Sequence, residues 1–494
     1  MQLHESGNTK STSCKEDTAM SKNRAWAIVI AIAILFTTGL AYTGYKFYGA
    51  YKSIQLAQTI YGYKSPSKGL VSPTFTRGKW MGVLIDDNIE YTDGAHNIIP
   101  YDIDGDGIVE LIANSYRADA LILYKYDDDP HSSLNWSRYV IDSRVGGGNP
   151  RRPIIKFIRS MLKEKLLGEF TSGAHYTAIA DLNNDTMSDL IVAGDRRKYD
   201  IIWYEAPKDI TDISAWRKHI IYQNNSHRVY HIEIGDIDGD GDQDVVFVSK
   251  TDNSLGWLEN NGSSIDWRMT WIDNSCTRSF NVRVADLNRD GQNDVIASED
   301  DTPKGGTLHS YSYSGDPRIQ RNWVDRKIAN FPVGEGVSVF EIGDIDGDGD
   351  LDIVTGNHQG DVYVLENPYP NNVGRGQEWN RYKVSHSDAS IREIDIGDID
   401  GDGDSDIIVA DESDNMVIWF ENSGITFYEN WKRHVIDHSD DYLRWCHSVE
   451  LGDVDGDGDL DIAVAAAGSN VFLLYLNNLV KQGERQSWEK AISR

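Results

Sequence analysis

Residues 236–244 read DIDGDGDQD. Five of the nine are Asp, so carboxylates repel one another within one short turn unless something positive sits among them. The stretch is not isolated. Near-copies begin at Asp102 (DIDGDGIVE), Asp181 (DLNNDTMSD), Asp286 (DLNRDGQND), Asp344 (DIDGDGDLD), Asp398 (DIDGDGDSD) and Asp453 (DVDGDGDLD). Counting the first, that is seven turns. Five of the six intervals between them are near 55 residues, and the first is longer by about 25. A fixed period of this length marks one structural unit per copy.

Each unit carries more than its turn. A strand precedes it, such as HIEIGD (231–236) or FEIGD (340–344), with apolar residues four and two places before the first Asp (Ile232 and Ile234; Phe340 and Ile342). Positions three and five before it are mixed or polar. After the turn comes a β-branched run: DVVFVS (244–249), DIVTG (352–356), DIIVA (406–410), DIAVA (461–465). An aromatic segment ending in an acid or amide follows: WYE (203–205), WLEN (257–260), VLEN (364–367), WFEN (419–422). A Trp-led segment ends the unit: NWSRYVID (135–142), AWRKHIIY (215–222), DWRMTWID (266–273), EWNRYKVS (378–385), NWKRHVID (430–437). Four short strands per unit with period-2 patterning, repeated seven times, predict an all-β, seven-bladed β-propeller. A solenoid would need capping ends, and the sequence has none. The 14 Trp recur at equivalent places and are expected between blades. Eight Trp-led strands are visible if KWMGVLID (79–86) and SWEKAISR (487–494) both count, so one terminus should complete the last blade. Trp80 to Ile85 fits the spacing better.

Within the turn, positions one, three, five and nine carry oxygen side chains in every copy. They are Asp102, Asp104, Asp106 and Glu110; Asp181, Asn183, Asp185 and Asp189; Asp236, Asp238, Asp240 and Asp244; and Asp286, Asn288, Asp290 and Asp294. The last three copies give Asp344, Asp346, Asp348 and Asp352; Asp398, Asp400, Asp402 and Asp406; and Asp453, Asp455, Asp457 and Asp461. Position seven varies, with Ile108, Met187 and Gln292 beside Asp242, Asp350, Asp404 and Asp459, as expected if only its carbonyl is used. Gly at positions four and six lets the chain bend sharply. Alternating short carboxylates on a tight loop suit Ca²⁺, which takes 6–8 oxygens and tolerates irregular geometry; Mg²⁺ demands stricter geometry. Thiolate- or imidazole-seeking metals do not match these ligands. The helix-loop-helix calcium hand needs a Glu at position twelve and flanking helices, whereas here the last acid is at nine and the flanks are strands.

The DxDGDGxxD turn followed by a DIVVA-like strand resembles the FG-GAP/VCBS repeat family over about residues 75–494. That family includes integrin α-subunit headpieces, fungal propeller lectins, and surface proteins and polysaccharide-degrading enzymes of bacteria and archaea. No Phe-Gly or Gly-Ala-Pro motif occurs, so the VCBS-like version is the closer match. The resemblance implies a calcium-stabilised propeller with up to seven Ca²⁺.

The formal charge of −30 would fall to about −16 with seven Ca²⁺ bound. Such a surface excludes nucleic acid, which wants basic patches. Residues 25–45, AWAIVIAIAILFTTGLAYTGY, hold no charge and are long enough to span a bilayer. The expected organisation is therefore a tail (1–24), a transmembrane signal-anchor (25–45), a linker (46–75) and the propeller (76–494). The anchor sets the partner as a membrane. Calcium sites of this type need the concentrations found outside cells, which places the propeller on the extracellular side. Cys14, Cys276 and Cys446 make no disulfide scaffold.

Because the acidic turn joins the first and second strands, the start of the first strand faces the other side of the ring. Six residues before the turn stand His96, His175 and His447, in blades 1, 2 and 7, which become neighbours once the ring closes. Tyr230 and Arg392 hold the same place in blades 3 and 6. Converging imidazoles can line a ligand pocket, bind a transition metal or act as acid and base. The insertion, about 143–172, contains RRPIIKFIRSMLKEKLLGEF (151–170), helical in spacing and basic on its polar side. Two function classes follow: a surface module binding glycans or proteins, and a polysaccharide-active lyase or hydrolase on the same scaffold. No nucleophile motif or phosphate loop appears, so binding leads.

Overall fold

A computed structural model of the chain describes residues 74–77, 79–146, 173–194, 200–224, 229–249, 253–262, 266–276, 278–302, 305–333, 335–370, 378–386, 390–424 and 431–478. Each period of the sequence becomes one antiparallel four-stranded sheet. Blade 1 runs Ala95–Tyr101, Glu110–Ser115, Ala120–Tyr126, Trp136–Asp142. Blade 2 is Ala174–Ala180, Asp189–Gly194, Ile201–Glu205, Arg217–Tyr222; blade 3 is Val229–Gly235, Asp244–Ser249, Ser254–Glu259, Arg268–Asp273. Blade 4 is Val282–Ala285, Asp294–Thr302, Gly305–Tyr313, Trp323–Asn330; blade 5 is Val339–Gly343, Asp352–Gly356, Asp361–Glu366, Asn380–His386. Blade 6 is Ile391–Gly397, Asp406–Asp411, Met416–Glu421, Lys432–His438, and blade 7 begins Cys446–Gly452, Asp461–Ala466, Val471–Leu476.

The fourth strand of blade 7 comes from the other end of the chain. Trp80–Asp86 pairs antiparallel with Val471–Leu476, Val83 opposite Leu474, and Thr74–Arg77 adds a fifth strand outside it. The chain thus stitches its own ring shut with the strand the spacing favoured. The β-branched second strands are buried on both faces, which is why they read as continuous apolar runs.

Seven hydrophobic clusters follow, each drawn from two neighbouring blades. One joins blade 7 to blade 1, with Leu474 and Leu476 against Ile98, Leu111 and Ile122. The residue four places before each turn supplies the inner layer. Ile98, Ile232, Val282, Phe340, Ile394 and Val449 are all buried there, as alternation predicts. Trp80, Trp203, Trp257, Trp323, Trp379 and Trp419 are buried, the packing role expected for them. Trp445 is an exception and stays 39 % exposed. Cys276 and Cys446 are buried free thiols in blades 4 and 7.

Several expectations lie outside the described residues: the anchor at 25–45 and its flanks, residues 147–172 of the insertion, and the strand at 487–494. Among the described residues no helix is long and apolar enough to cross a membrane.

Candidate functional site

The acidic turn is organised by its own backbone. Asp236 accepts from the Gly239, Asp240 and Gly241 amides (2.8, 3.2 and 3.0 Å), and Asp240 accepts from Asp242 N (3.0 Å). Positions four and six need left-handed backbone. Gly239 and Gly241 stand at φ +75° and +96°, and the divergent second turn puts Asn184 at +59° and Thr186 at +78°. The same geometry is therefore kept where glycine is lost, at a cost for a β-branched residue.

Position nine opens the second strand and is fully buried in most blades. Its carboxylate ties the turn at both ends. Asp244 accepts from Ile237 N (3.1 Å) and Asn260 N (2.7 Å), and Asp352, Asp406 and Asp461 repeat the pattern. Burial pushes these acids up, Asp189, Asp244, Asp294 and Asp406 to about 7, Asp352 and Asp461 to about 8. Desolvation thus leads, with the neighbouring carboxylates adding to it. Carboxylate oxygens lie within 4.8 Å of one another in Asp102, Asp104 and Glu110; Asp236, Asp238 and Asp244; Asp344, Asp346 and Asp348; Asp398, Asp400 and Asp406; and Asp453, Asp455 and Asp461. In blade 3, Asp238 is anchored through Oδ2 by Arg318, while its buried Oδ1 has no hydrogen-bond partner. An orphaned buried carboxylate oxygen among other oxygens fits a hard cation.

The amide ending the WLEN-type segments has a role that the sequence does not display. Asn260, Asn367, Asn422 and Asn477 each donate to the position-two carbonyl of the preceding blade's turn: Leu182, Leu287, Ile345 and Ile399 (2.8–3.0 Å). Each also bridges to the residue before position nine of its own turn. In blades 1 and 4 a tyrosine takes over, Tyr126 OH reaching Val454 O (2.9 Å) and Tyr313 OH reaching Ile237 O (2.7 Å). The turns of blades 1, 3, 4, 5, 6 and 7 are therefore each riveted to the turn of the preceding blade.

Along the central channel, the residue three places before the turn in blades 3 to 7 forms a second layer. Glu233, Arg283, Glu341, Asp395 and Glu450 line a cavity of about 410 Å³ with Tyr176. Arg283 grips Glu341 in a fork (Nε to Oε2 2.9 Å, Nη2 to Oε2 2.6 Å) and donates through Nη1 to Asn281 (2.9 Å), with His231 Nε2 at 3.1 Å. Burial raises Glu233 to about 7 against the pull of Arg283, and raises Glu450 and Glu393 as well.

The opposite mouth of the channel carries the residues singled out from the sequence, and they do converge. The His96 ring centroid lies 3.8 Å from that of His447 and 4.3 Å from that of His175; Tyr230 follows at 4.0 Å from His175. Arg392 joins the two sides, Nε donating to His447 Nε2 (3.1 Å) and Nη2 to Tyr230 OH (3.2 Å). Phe280 packs on Tyr230 at 4.9 Å. Burial, then neighbouring positive charge, holds the His96 and His447 imidazoles well below the usual range. They are neutral near pH 7, and Arg392 is the fixed charge among them. A guanidinium hydrogen-bonded to His447 and Tyr230 opposes a second cation at this mouth and favours hydroxyl or carboxylate groups.

Fold and turns together define a seven-bladed propeller whose blades each carry an acidic turn, several of them with oxygens spaced so that they could hold a cation. The family comparisons agree. An FG-GAP-like repeat model matches residues 181–247, 236–297, 344–409 and 398–464, and an FG-GAP repeat model matches 447–483. The chain carries FG-GAP repeats. No curated protein matches it. Among solved structures, a chain in the crystal structure of BBS1N in complex with ARL6DN, soaked with mercury, is 12 % identical over 81 % of this chain and 98 % of that one, at a TM-score of 0.49. The same complex soaked with lead gives 12 %, 81 %, 98 % and 0.46.

Proposed function

We propose that the chain is a calcium-stabilised β-propeller acting as a binding module, with its ligand over the channel mouth formed by His96, His175, His447, Tyr230 and Arg392. The observation that carries this is the convergence of those five side chains from blades 1, 2, 3, 6 and 7 at the end of the channel away from the acidic turns. Imidazoles, a phenol and one guanidinium offer hydrogen bonds and ring faces to a glycan or a polar protein segment.

In the turns, position-one, -three, -five and -nine oxygens would hold Ca²⁺, which supplies the charge that lets buried acids ionise together. The uncharged run 25–45 supports membrane anchoring, and the calcium demand supports an extracellular propeller.

The test is a glycan array probed with the full-length chain in detergent, alongside a His96→Ala/His175→Ala/His447→Ala variant of unchanged melting temperature. Binding lost in the variant supports the reading. Equal binding by both proteins moves the ligand elsewhere, and turnover of a bound glycan replaces binding by catalysis.

A further inference from the structure

The first blade's turn differs from the others in what stands across from it. Leu111 pairs with Tyr124, which sets Lys125 opposite Glu110. The same register sets Glu205 opposite Asp189, Glu259 opposite Asp244, Glu366 opposite Asp352 and Glu421 opposite Asp406. Four blades thus present an acid beside position nine, and blade 1 presents an amine.

That amine lies among the oxygens a cation would take. Lys125 Nζ is 2.6 Å from Glu110 Oε1, 2.9 Å from Asp106 Oδ2 and 3.2 Å from Asp104 Oδ2, which are positions nine, five and three. Asp104, Glu110 and Asp102 form one of the clusters with metal-like spacing, so the ammonium stands in a cage of the right size. Glu110 is rebuilt around it. Its Oε2 keeps the turn bond to Ile103 N (3.1 Å). In blades 2, 3, 5, 6 and 7 the other oxygen of position nine accepts a backbone amide from the end of the third strand, whereas Glu110 Oε1 takes no hydrogen-bonded amide and faces Lys125. The extra methylene of Glu over Asp gives the reach. Arg318 in blade 3 is no parallel, since within that turn its contact is with Asp238 while it grips Glu259.

We propose that blade 1 carries a built-in cation: Lys125 closes its turn, and this turn takes no calcium while its sister turns do. The inference rests on the calcium reading of those other turns. It makes the first blade, which directly follows the N-terminal strand that seals blade 7, independent of the calcium supply. An ammonium with three carboxylate contacts offsets part of the cluster's negative charge at any calcium concentration, and a divalent ion entering the cage would meet it at contact distance.

The experiment counts calcium per chain by isothermal titration with CaCl₂ on the EGTA-stripped full-length protein. Lys125→Gln should bind one more ion than the natural chain. Glu366→Lys, which transplants the amine into blade 5, should bind one fewer. Hydrogen exchange provides a readout independent of these variants. In the natural chain, EGTA should strip protection from peptides over 344–352, 398–406 and 453–461 and leave 102–110 unchanged. Equal stoichiometry in the natural chain and Lys125→Gln, with 102–110 deprotected by EGTA, overturns the proposal and leaves calcium in the turns standing. No calcium uptake by either protein overturns both readings.

Discussion

Replacing Asn422 by Ala removes a rivet between blades 5 and 6 without touching a cation-type ligand. The side chain donates to two carbonyls, the buried Ile345 O and the half-buried Ser405 O, both at 3.0 Å, and only 8 % of the residue is exposed. Ala leaves both acceptors dry. Each unsatisfied buried acceptor costs about 1–3 kcal/mol, and a carbonyl with a second lone pair stands at the low end. The Asn422 backbone amide still reaches Asp406 (2.7 Å), so the turn itself survives. The expected loss is about 2–3 kcal/mol. It is read as a lowered midpoint in equilibrium urea unfolding at saturating calcium, followed by far-UV circular dichroism. Blade 2 supplies the control, because Ala206 stands where the others have Asn or Tyr, and the Ile103 carbonyl it would reach accepts Ser188 N at 3.4 Å instead. Ala206→Asn should be neutral or stabilising by less than about 1 kcal/mol. A change below about 0.5 kcal/mol for Asn422→Ala would refute the claim that these amides hold neighbouring turns together.

Arg283→Ala should cost about 3–5 kcal/mol in the same assay, because it removes a buried guanidinium and leaves the half-buried Glu341 and Glu233 without their partner. Thr186→Gly should stabilise by about 0.5–1 kcal/mol in thermal unfolding, since it relieves a β-branched residue at φ +78°. Against the pull of burial, Asp325 (2.7 Å) and Glu299 (3.4 Å) hold His309 up to about 9. A raised folded-state value stabilises below the unfolded 6.5 and is lost as pH climbs through 9, so urea unfolding should show about 3 kcal/mol fading across that window. His309→Gln should abolish that slope.

Blade count, the all-β class and the meeting of His96, His175 and His447 were legible because each follows from period and register alone, whereas for ring closure the spacing favoured Trp80–Ile85 without deciding between the two termini. A residue six places before a turn recurs at the same height in each blade, so a ring of side chains can be predicted from chain positions about 55 apart. The layer three places before the turn obeys the same rule, yet its Glu, Arg and Asp looked like ordinary solvated strand positions. Only the closed channel turns them into buried charge. The rivets were hidden for another reason: Asn and Tyr share no pattern, and the equivalence of Tyr126 and Tyr313 to Asn260 appears only in the pairing of second and third strands. Lys125 was hidden likewise, since its meaning depends on standing opposite Glu110.

The metal content of the full-length protein purified in millimolar calcium, measured with its melting temperature before and after excess EGTA, tests the account most directly. A site filled at a hundredfold excess over its Kd stabilises by about 2.7 kcal/mol, and several filled sites act together. Several calcium ions per chain and a melt lowered by roughly 10 °C or more on chelation are the predicted result. A protein that retains no calcium and melts at the same temperature in EGTA would contradict it.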